Sequence, residues 1–149
     1  MIISLYRKAP TSIPHVAGSR RPTLSCEDAE RVQDVRRAAR LDLARRGVGE
    51  EVRFVVELVV GELVANALQH QRCEALSVAA FVSAAGVQVN VVGDAPVPPT
   101  LWETRQTDGA AEDGRGLLLV AELTVERGVT GTGLWCVVPF ADERLGDVA

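Results

Sequence analysis

The sequence predicts a two-layer α+β sandwich, in which a mostly antiparallel mixed sheet carries helices on one face. Two stretches, 25–47 and 50–70, place apolar residues at helical spacing. A third, 76–93, alternates apolar and polar residues around a small-residue turn, which is typical of a β-hairpin. A long loop, a short helix and a second hairpin follow. The predicted order is therefore strand, helix, helix, hairpin, loop, helix, hairpin.

The two long helices have recognisable boundaries. Ser25 is a predicted N-cap, and Asp28, three residues later, takes the acidic position of a capping box. Gly47 and Gly49 are expected to end this first helix. Gly61 lies inside the second helix, where glycine is unfavourable, and it indicates close approach of a neighbouring element.

The first hairpin must be distinguished from a membrane span, because no charged residue occurs between Ala75 and Gly93. Valines within 87–91 nevertheless alternate with the polar residues Gln88 and Asn90. This period of two predicts strands and not a transmembrane helix.

The chain divides into a lead-in, one domain and a tail. Residues 1–24 are punctuated by proline and serine, and we expect them to be extended, with room for a first strand near 16–24. The domain is expected to span 25–140. Within it, the Pro- and Gly-containing stretch 95–113 has the length and composition of a binding loop or lid. Residues 141–149 form a C-terminal tail.

The last elements of the domain are predicted to be short. A helix is expected from Leu117 to about Glu122, and strands are expected near 123–127 and 134–140.

Composition excludes several classes of protein. The chain has 149 residues, of which 47% are hydrophobic, enough for one domain with a sizeable core. Its net charge of −4 argues against direct binding of nucleic acid or of anionic membranes. The three cysteines show no CxxC spacing, so a disulfide framework is not expected and a reducing cytoplasm fits better.

The second helix carries the first candidate motif. Glu62, Asn66 and His70 are spaced at i, i+4 and i+8, so they project from one helical face. A carboxamide oxygen can bind Mg²⁺, and a carboxylate one turn earlier can hold a hydroxyl for in-line attack on a phosphate. The alternative is an ordinary solvated polar face.

Two further motifs lie on either side of the long loop. Asp94 follows a strand, where it could accept a hydrogen bond from an exocyclic amine, or could simply form a turn. Gly114, Arg115, Gly116 and Leu117 open the short helix. Glycines there allow backbone N–H groups to approach an anion, and the alternative is a hinge.

Other chemistries are excluded by the motifs that they require. The sequence has no Gly-Lys-Ser/Thr of a phosphate-binding P-loop and no GxSxG of a serine hydrolase. His15 and His70 are the only histidines, and no Cys/His cluster has metal-binding spacing.

Taken in order, the three motifs resemble those of the Bergerat-fold ATPases, the GHKL superfamily. Glu-Leu-Val-Ala-Asn-Ala-Leu-Gln-His at 62–70 looks like the N-box, Asp94 like the G1 aspartate, and Gly-Arg-Gly-Leu at 114–117 like the G2 box. The chain is most similar to the short single-domain branch, which includes the anti-sigma-factor serine kinases. The resemblance covers about 25–140.

The resemblance implies a role for each motif. Asn66 would bind Mg²⁺ and the phosphates of ATP, and Asp94 would bind the adenine amine. Gly114 and Gly116 would present backbone amides near the phosphates, with Arg115 and Leu117 in the same box. Glu62 would be the general base toward a partner's serine, and 95–113 would be the ATP lid.

The resemblance also implies partners. The leading interpretation is a cytoplasmic regulatory serine/threonine kinase that binds a sigma factor and phosphorylates an anti-anti-sigma protein of the STAS class, with homodimer formation left open. Two departures favour an inactive binding module of the same fold: Pro96 stands where better-studied kinases have glycine, and Leu134 replaces a polar residue. An unrelated α+β domain with a chance N-box is the third interpretation.

Overall fold

The computed structural model describes residues 2–6, 25–103 and 115–140 of the chain. Its elements follow the predicted order. Their bounds are β1 Ile2–Tyr6, α1 Cys26–Arg45, α2 Glu50–Gln69, β2 Ala75–Ser83, β3 Gly86–Gly93, α3 Arg115–Leu123, β4 Glu126–Val129 and β5 Gly133–Pro139.

The five strands form one sheet in the order β1-β2-β3-β5-β4. Each pairing between these strands is antiparallel, from β1 with β2 to β4 with β5. The predicted α+β sandwich is confirmed. The parallel pair that a mixed sheet requires does not occur among the described strands.

The first strand lies nearer the N-terminus than the sequence suggested. β1 pairs with β2 so that Ile3 stands opposite Val78. The strand predicted near 16–24 falls on residues outside the described segments, although β1 still belongs to the predicted lead-in.

Both ends of α1 are built as the sequence predicts. The backbone N–H of Asp28 donates to the Ser25 hydroxyl at 3.1 Å, which caps the N-terminus. At the other end, Gly47 has φ +78°. The N–H of Gly47 donates to Ala44, and the N–H of Val48 donates to the carbonyl of Leu43 at 3.0 Å. These two bonds form a Schellman ending.

Helix α2 lies across the sheet and is flanked by α1 and α3. It is buried along most of its length because it has neighbours on three sides. Gly61 faces α1: a Cβ there would lie 3.1 Å from Cδ of Arg36, which crosses the helix at this point. The close approach inferred from this glycine is therefore confirmed.

The hairpin β2–β3 turns tightly at residues 84–85. Val87, Val89 and Val91 are buried beneath the helices, whereas Gln88 and Asn90 face the other side of the sheet. The predicted alternation is confirmed. Within the described segments, no helix has both the length and the apolar character of a membrane span.

The prediction for the chain after α3 was wrong by about three residues. Leu123 belongs to the helix and not to the following strand, and β4 begins only at Glu126. The Thr124 hydroxyl donates to the Val120 carbonyl at 2.7 Å. This bond extends the hydrogen bonding of the last helical turn past Leu123.

The first half of the predicted lid is packed against the body of the domain. Val97 and Leu101 are 5% and 8% exposed and belong to the core. The N–H of Val97 donates to Gly131 at 3.0 Å, and Nε1 of Trp102 donates to the Gly128 carbonyl at 3.1 Å. Residues 95–103 are thereby attached to the β4–β5 hairpin, and 104–113 lie outside the described residues.

Candidate nucleotide site

Helix α2 supplies the first two candidate side chains. Glu62 is half-buried, and Asn66, one turn later, is only 6% exposed. The alternative of a solvated polar face therefore fails for Asn66. His70 is half-buried at the C-cap, where its N–H donates to the Asn66 carbonyl at 2.9 Å. Because His70 lies just past the last helical residue, the predicted row of three polar side chains is reduced to two on the helix, Glu62 and Asn66.

The Glu62 carboxylate lies against the start of α3. A Cβ on Gly116 would collide with Oε2 of Glu62 and would lie 3.2 Å from its Cδ. Only a glycine leaves room for the carboxylate at this point. The positive end of the α3 dipole stabilises an anion there. The structure thus brings together two residues, Glu62 and Gly116, that are 54 positions apart in the sequence.

Asp94 is held by the backbone at the end of β3. Its Oδ1 accepts the N–H of Glu74 at 3.1 Å, and its Oδ2 accepts the N–H of Ala75 at 3.1 Å. Asp94 is nevertheless exposed, and each carboxylate oxygen has a second lone pair. The structure therefore fixes the orientation of the carboxylate while leaving capacity for a further donor.

Sequence reasoning missed Cys73, which lies beneath this turn. It is fully buried, and its Sγ occupies the space that a Cβ on Gly93 would need. Burial raises the pKa of the Cys73 thiol, while the nearby backbone of Ala95 and Asp94 acts in the opposite direction. The thiol donates to Oε1 of Gln71 at 3.8 Å. The hairpin register offered a signal, because a two-residue turn at 84–85 places residues 73–75 opposite 94–96.

The G2 residues are only partly described. Gly114 and the Arg115 side chain lie outside the described positions, so their predicted roles stay predictions. Gly116 and Leu117 form the first turn of α3. The Leu117 side chain is 3% exposed and belongs to the core. Any contact of Leu117 with a ligand would therefore involve its backbone.

The two residues that depart from the kinase pattern, Pro96 and Leu134, differ in burial. Pro96 is exposed in the segment that follows Asp94. Leu134 is 2% exposed in β5 and belongs to the core. A polar side chain at 134 would need a hydrogen-bonding partner inside the core, because an unpaired buried polar group costs about 1–3 kcal/mol.

The domain matches a family model over most of its length. Residues 26–138 match the model of the histidine kinase-like ATPase domain. The chain belongs to this family. Membership supports an ATP-binding regulatory role, and it confirms the resemblance drawn from the three motifs. No curated protein matches the chain.

The histidine kinase-like ATPase domain also has a groove on the opposite face of its sheet, with a volume of about 370 Å³. Gln88 and Asn90 contribute to it, and Nε2 of Gln88 donates to Oδ1 of Asn90 at 2.9 Å. The full lining is Gln88, Asn90, Val92, Glu126, Thr130, Leu134 and Trp135. The groove is separate from Glu62 and Asn66, because α2 covers the other face.

Proposed function

We propose that this domain binds Mg-ATP between α2, the end of β3 and the start of α3, and that it is a regulatory serine/threonine kinase. The observation that carries the proposal is the meeting of the N-box and G2 residues: the Glu62 carboxylate lies against Gly116. Asn66 follows one turn later on the same helix, within the region that matches the family.

The side chains of the candidate site carry the chemical groups that Mg-ATP binding requires. Asn66 offers a carboxamide oxygen, a ligand type that Mg²⁺ accepts alongside phosphate oxygens and waters. No group of three His, Cys, Asp or Glu side chains in the described segments is placed to hold a metal. A magnesium ion that arrives with the nucleotide needs only one or two protein ligands. The exposed Asp94 carboxylate fits an exocyclic amine, since it accepts hydrogen bonds and donates none.

The residues would divide the phosphoryl-transfer reaction between them. ATP supplies the terminal phosphoryl group. Glu62 would accept the proton of a partner's serine hydroxyl as the Oγ–P bond forms and the bond from phosphorus to ADP breaks. Asn66 would hold Mg²⁺ and the phosphates in line. The backbone amides at the start of α3 would face the negative charge of the phosphates.

The proposed partners are a sigma factor and an anti-anti-sigma protein of the STAS class. This part rests on the motif resemblance alone. A catalytically inactive binding module is the second candidate, and one observation favours it. Leu134 stands where the related kinases have a polar residue, and its side chain is part of the packed core. It therefore cannot make the polar contact that the kinases make from this position.

A transfer assay distinguishes the two candidates. Labelled ATP is offered to the wild type and to Glu62→Ala, with each STAS-type protein encoded nearby as acceptor. A positioned general base contributes about 10²–10⁴-fold in rate, so Glu62→Ala should bind ATP and lose transfer by about that factor. Glu57→Ala is the matched control, because Glu57 lies on the same helix and pairs with Arg40 at 3.5 Å, away from the site.

The outcomes lead to different conclusions. A wild type that binds ATP and a partner but transfers no phosphate favours the binding module. Equal transfer by the wild type and Glu62→Ala refutes the catalytic role of Glu62. Equal losses in Glu62→Ala and Glu57→Ala would indicate a general effect on α2.

A further inference from the structure

Cys73 connects the two halves of the candidate site. Its backbone N–H donates to the Ala67 carbonyl at 3.2 Å, next to Asn66 near the end of α2. Its side chain reaches the other half, where Sγ lies against Gly93, the residue that precedes Asp94. One residue thus contacts both the N-box helix and the strand end that carries the G1 aspartate.

The segment after Cys73 completes the connection. The next two backbone N–H groups, of Glu74 and Ala75, bind the two oxygens of the Asp94 carboxylate, each at 3.1 Å. The backbone at Gly93, just before Asp94, therefore packs against the Cys73 sulfur, and the Asp94 side chain is held by the two residues that follow Cys73. Both the position and the rotation of the carboxylate depend on where Cys73 stands.

A larger or smaller side chain at 73 would disturb this arrangement. Cys73 is fully buried, and its Cβ lies 3.4 Å from the place of a Cβ on Gly93. Alanine would remove the sulfur that packs against Gly93 and would leave a cavity there. Neighbouring groups relax partly into such a cavity, and Gly93, next to Asp94, is one of those neighbours.

From these contacts we infer that Cys73 is a positioning residue for nucleotide recognition: it holds Asp94 in register with Asn66, so that the carboxylate selects a purine bearing a 6-amino group. This inference rests on the proposed function, since it assigns Asp94 to the base. Cys73 itself touches no ligand. It acts through Asp94 and through the end of α2.

The test compares ATP with purine riboside triphosphate, which lacks the 6-amino group, by calorimetric titration. The wild type should prefer ATP about tenfold or more, which is the value of one good hydrogen bond to a carboxylate. Cys73→Ala should reduce this preference at least about fivefold while changing affinity for the amine-free nucleotide little. Cys73→Ser, which refills most of the space against Gly93, should recover part of the preference.

Cys136→Ala is the matched control, because Cys136 is an equally buried thiol on β5, outside these contacts. It should lower thermal stability without changing the preference. Amide hydrogen exchange adds a readout that needs no nucleotide: Cys73→Ala should speed exchange at Glu74 and Ala75, and Cys136→Ala should not.

Each outcome decides a separate point. Unchanged exchange at Glu74 and Ala75 in Cys73→Ala overturns the positioning role. Faster exchange with an unchanged nucleotide preference makes Cys73 merely structural and also overturns the inference. A wild type that does not bind ATP, or that binds both nucleotides equally, refutes the proposed function, and the exchange experiment then decides whether Cys73 holds Asp94.

Discussion

Gly116→Ala separates the position of the Glu62 carboxylate from the stability of the fold. The new methyl group would overlap Oε2 of Glu62, so the carboxylate must move by roughly 1 Å before the contact becomes an ordinary one. The atom displaced is the far end of a flexible, half-buried side chain, which can rotate away for about 0.5–1.5 kcal/mol. Alanine in place of glycine stabilises a helix by about 0.5–1 kcal/mol. These two effects nearly cancel.

The free energy of unfolding should therefore change by less than about 1 kcal/mol in Gly116→Ala, while phosphoryl transfer should fall by about 10²-fold. A displacement of 1 Å in a reacting group can cost that factor. The assays are urea unfolding of the apo protein and labelled-phosphate transfer at saturating ATP.

Gly61→Ala is the matched control for this experiment. It is also a glycine within a helix, but its missing Cβ faces Arg36 and not Glu62. It should keep transfer near the wild-type rate. The reasoning is refuted if Gly116→Ala transfers phosphate as fast as Gly61→Ala does. It is also refuted if Gly116→Ala loses several kcal/mol of stability, because the contact with Glu62 would then be structural.

Three further outcomes are expected. Asp94→Asn should weaken ATP binding. It should also lower the stability of the apo protein by about 1 kcal/mol, because the new NH₂ group would face a backbone N–H that now donates to the carboxylate. Unchanged stability in urea titrations would contradict these hydrogen bonds. Burial raises the pKa of Cys136 from 9.0 to about 12, so the unfolded chain loses this proton first. The free energy of unfolding should therefore fall by up to about 1.4 kcal/mol per pH unit between about pH 9 and 12. Urea unfolding at a series of pH values should show a weaker pH dependence for Cys136→Ala, and an equal pH dependence would refute the role of Cys136. ATP should change the fluorescence of Trp102, which lies within the predicted lid, so Trp102→Phe should abolish the signal that Trp135→Phe retains.

The elements that were predicted well are those determined by local chemistry. Ser25 caps α1 through a residue only three positions away. The β2–β3 hairpin follows from alternation around a two-residue turn, which also sets its register. In both cases the deciding contacts lie within one element or one turn.

The features that the sequence did not show depend on long-range packing. Residues 95–103 are irregular, as expected, but Val97 and Leu101 also belong to the core, and the N–H of Val97 donates to Gly131 between β4 and β5. β1 is an edge strand of five residues, and its place depends on β2, about 70 positions further along the chain.

The candidate site shows the same division. The sequence placed Glu62 and Asn66 on one helical face, because that requires only the helical repeat. It could not show that Gly116 makes room for the Glu62 carboxylate, or that Asp94 is held by Glu74 and Ala75, since both contacts cross between elements.

Calorimetric titration of the wild type with Mg-ATP, ADP and GTP tests the central claim most directly. The account predicts that ATP and ADP bind at one site per chain and that GTP does not. Asn66→Ala, measured beside the wild type, should lose the magnesium-dependent part of the ATP affinity. Absence of ATP binding by a folded wild type, or equal affinity for GTP, would contradict the account.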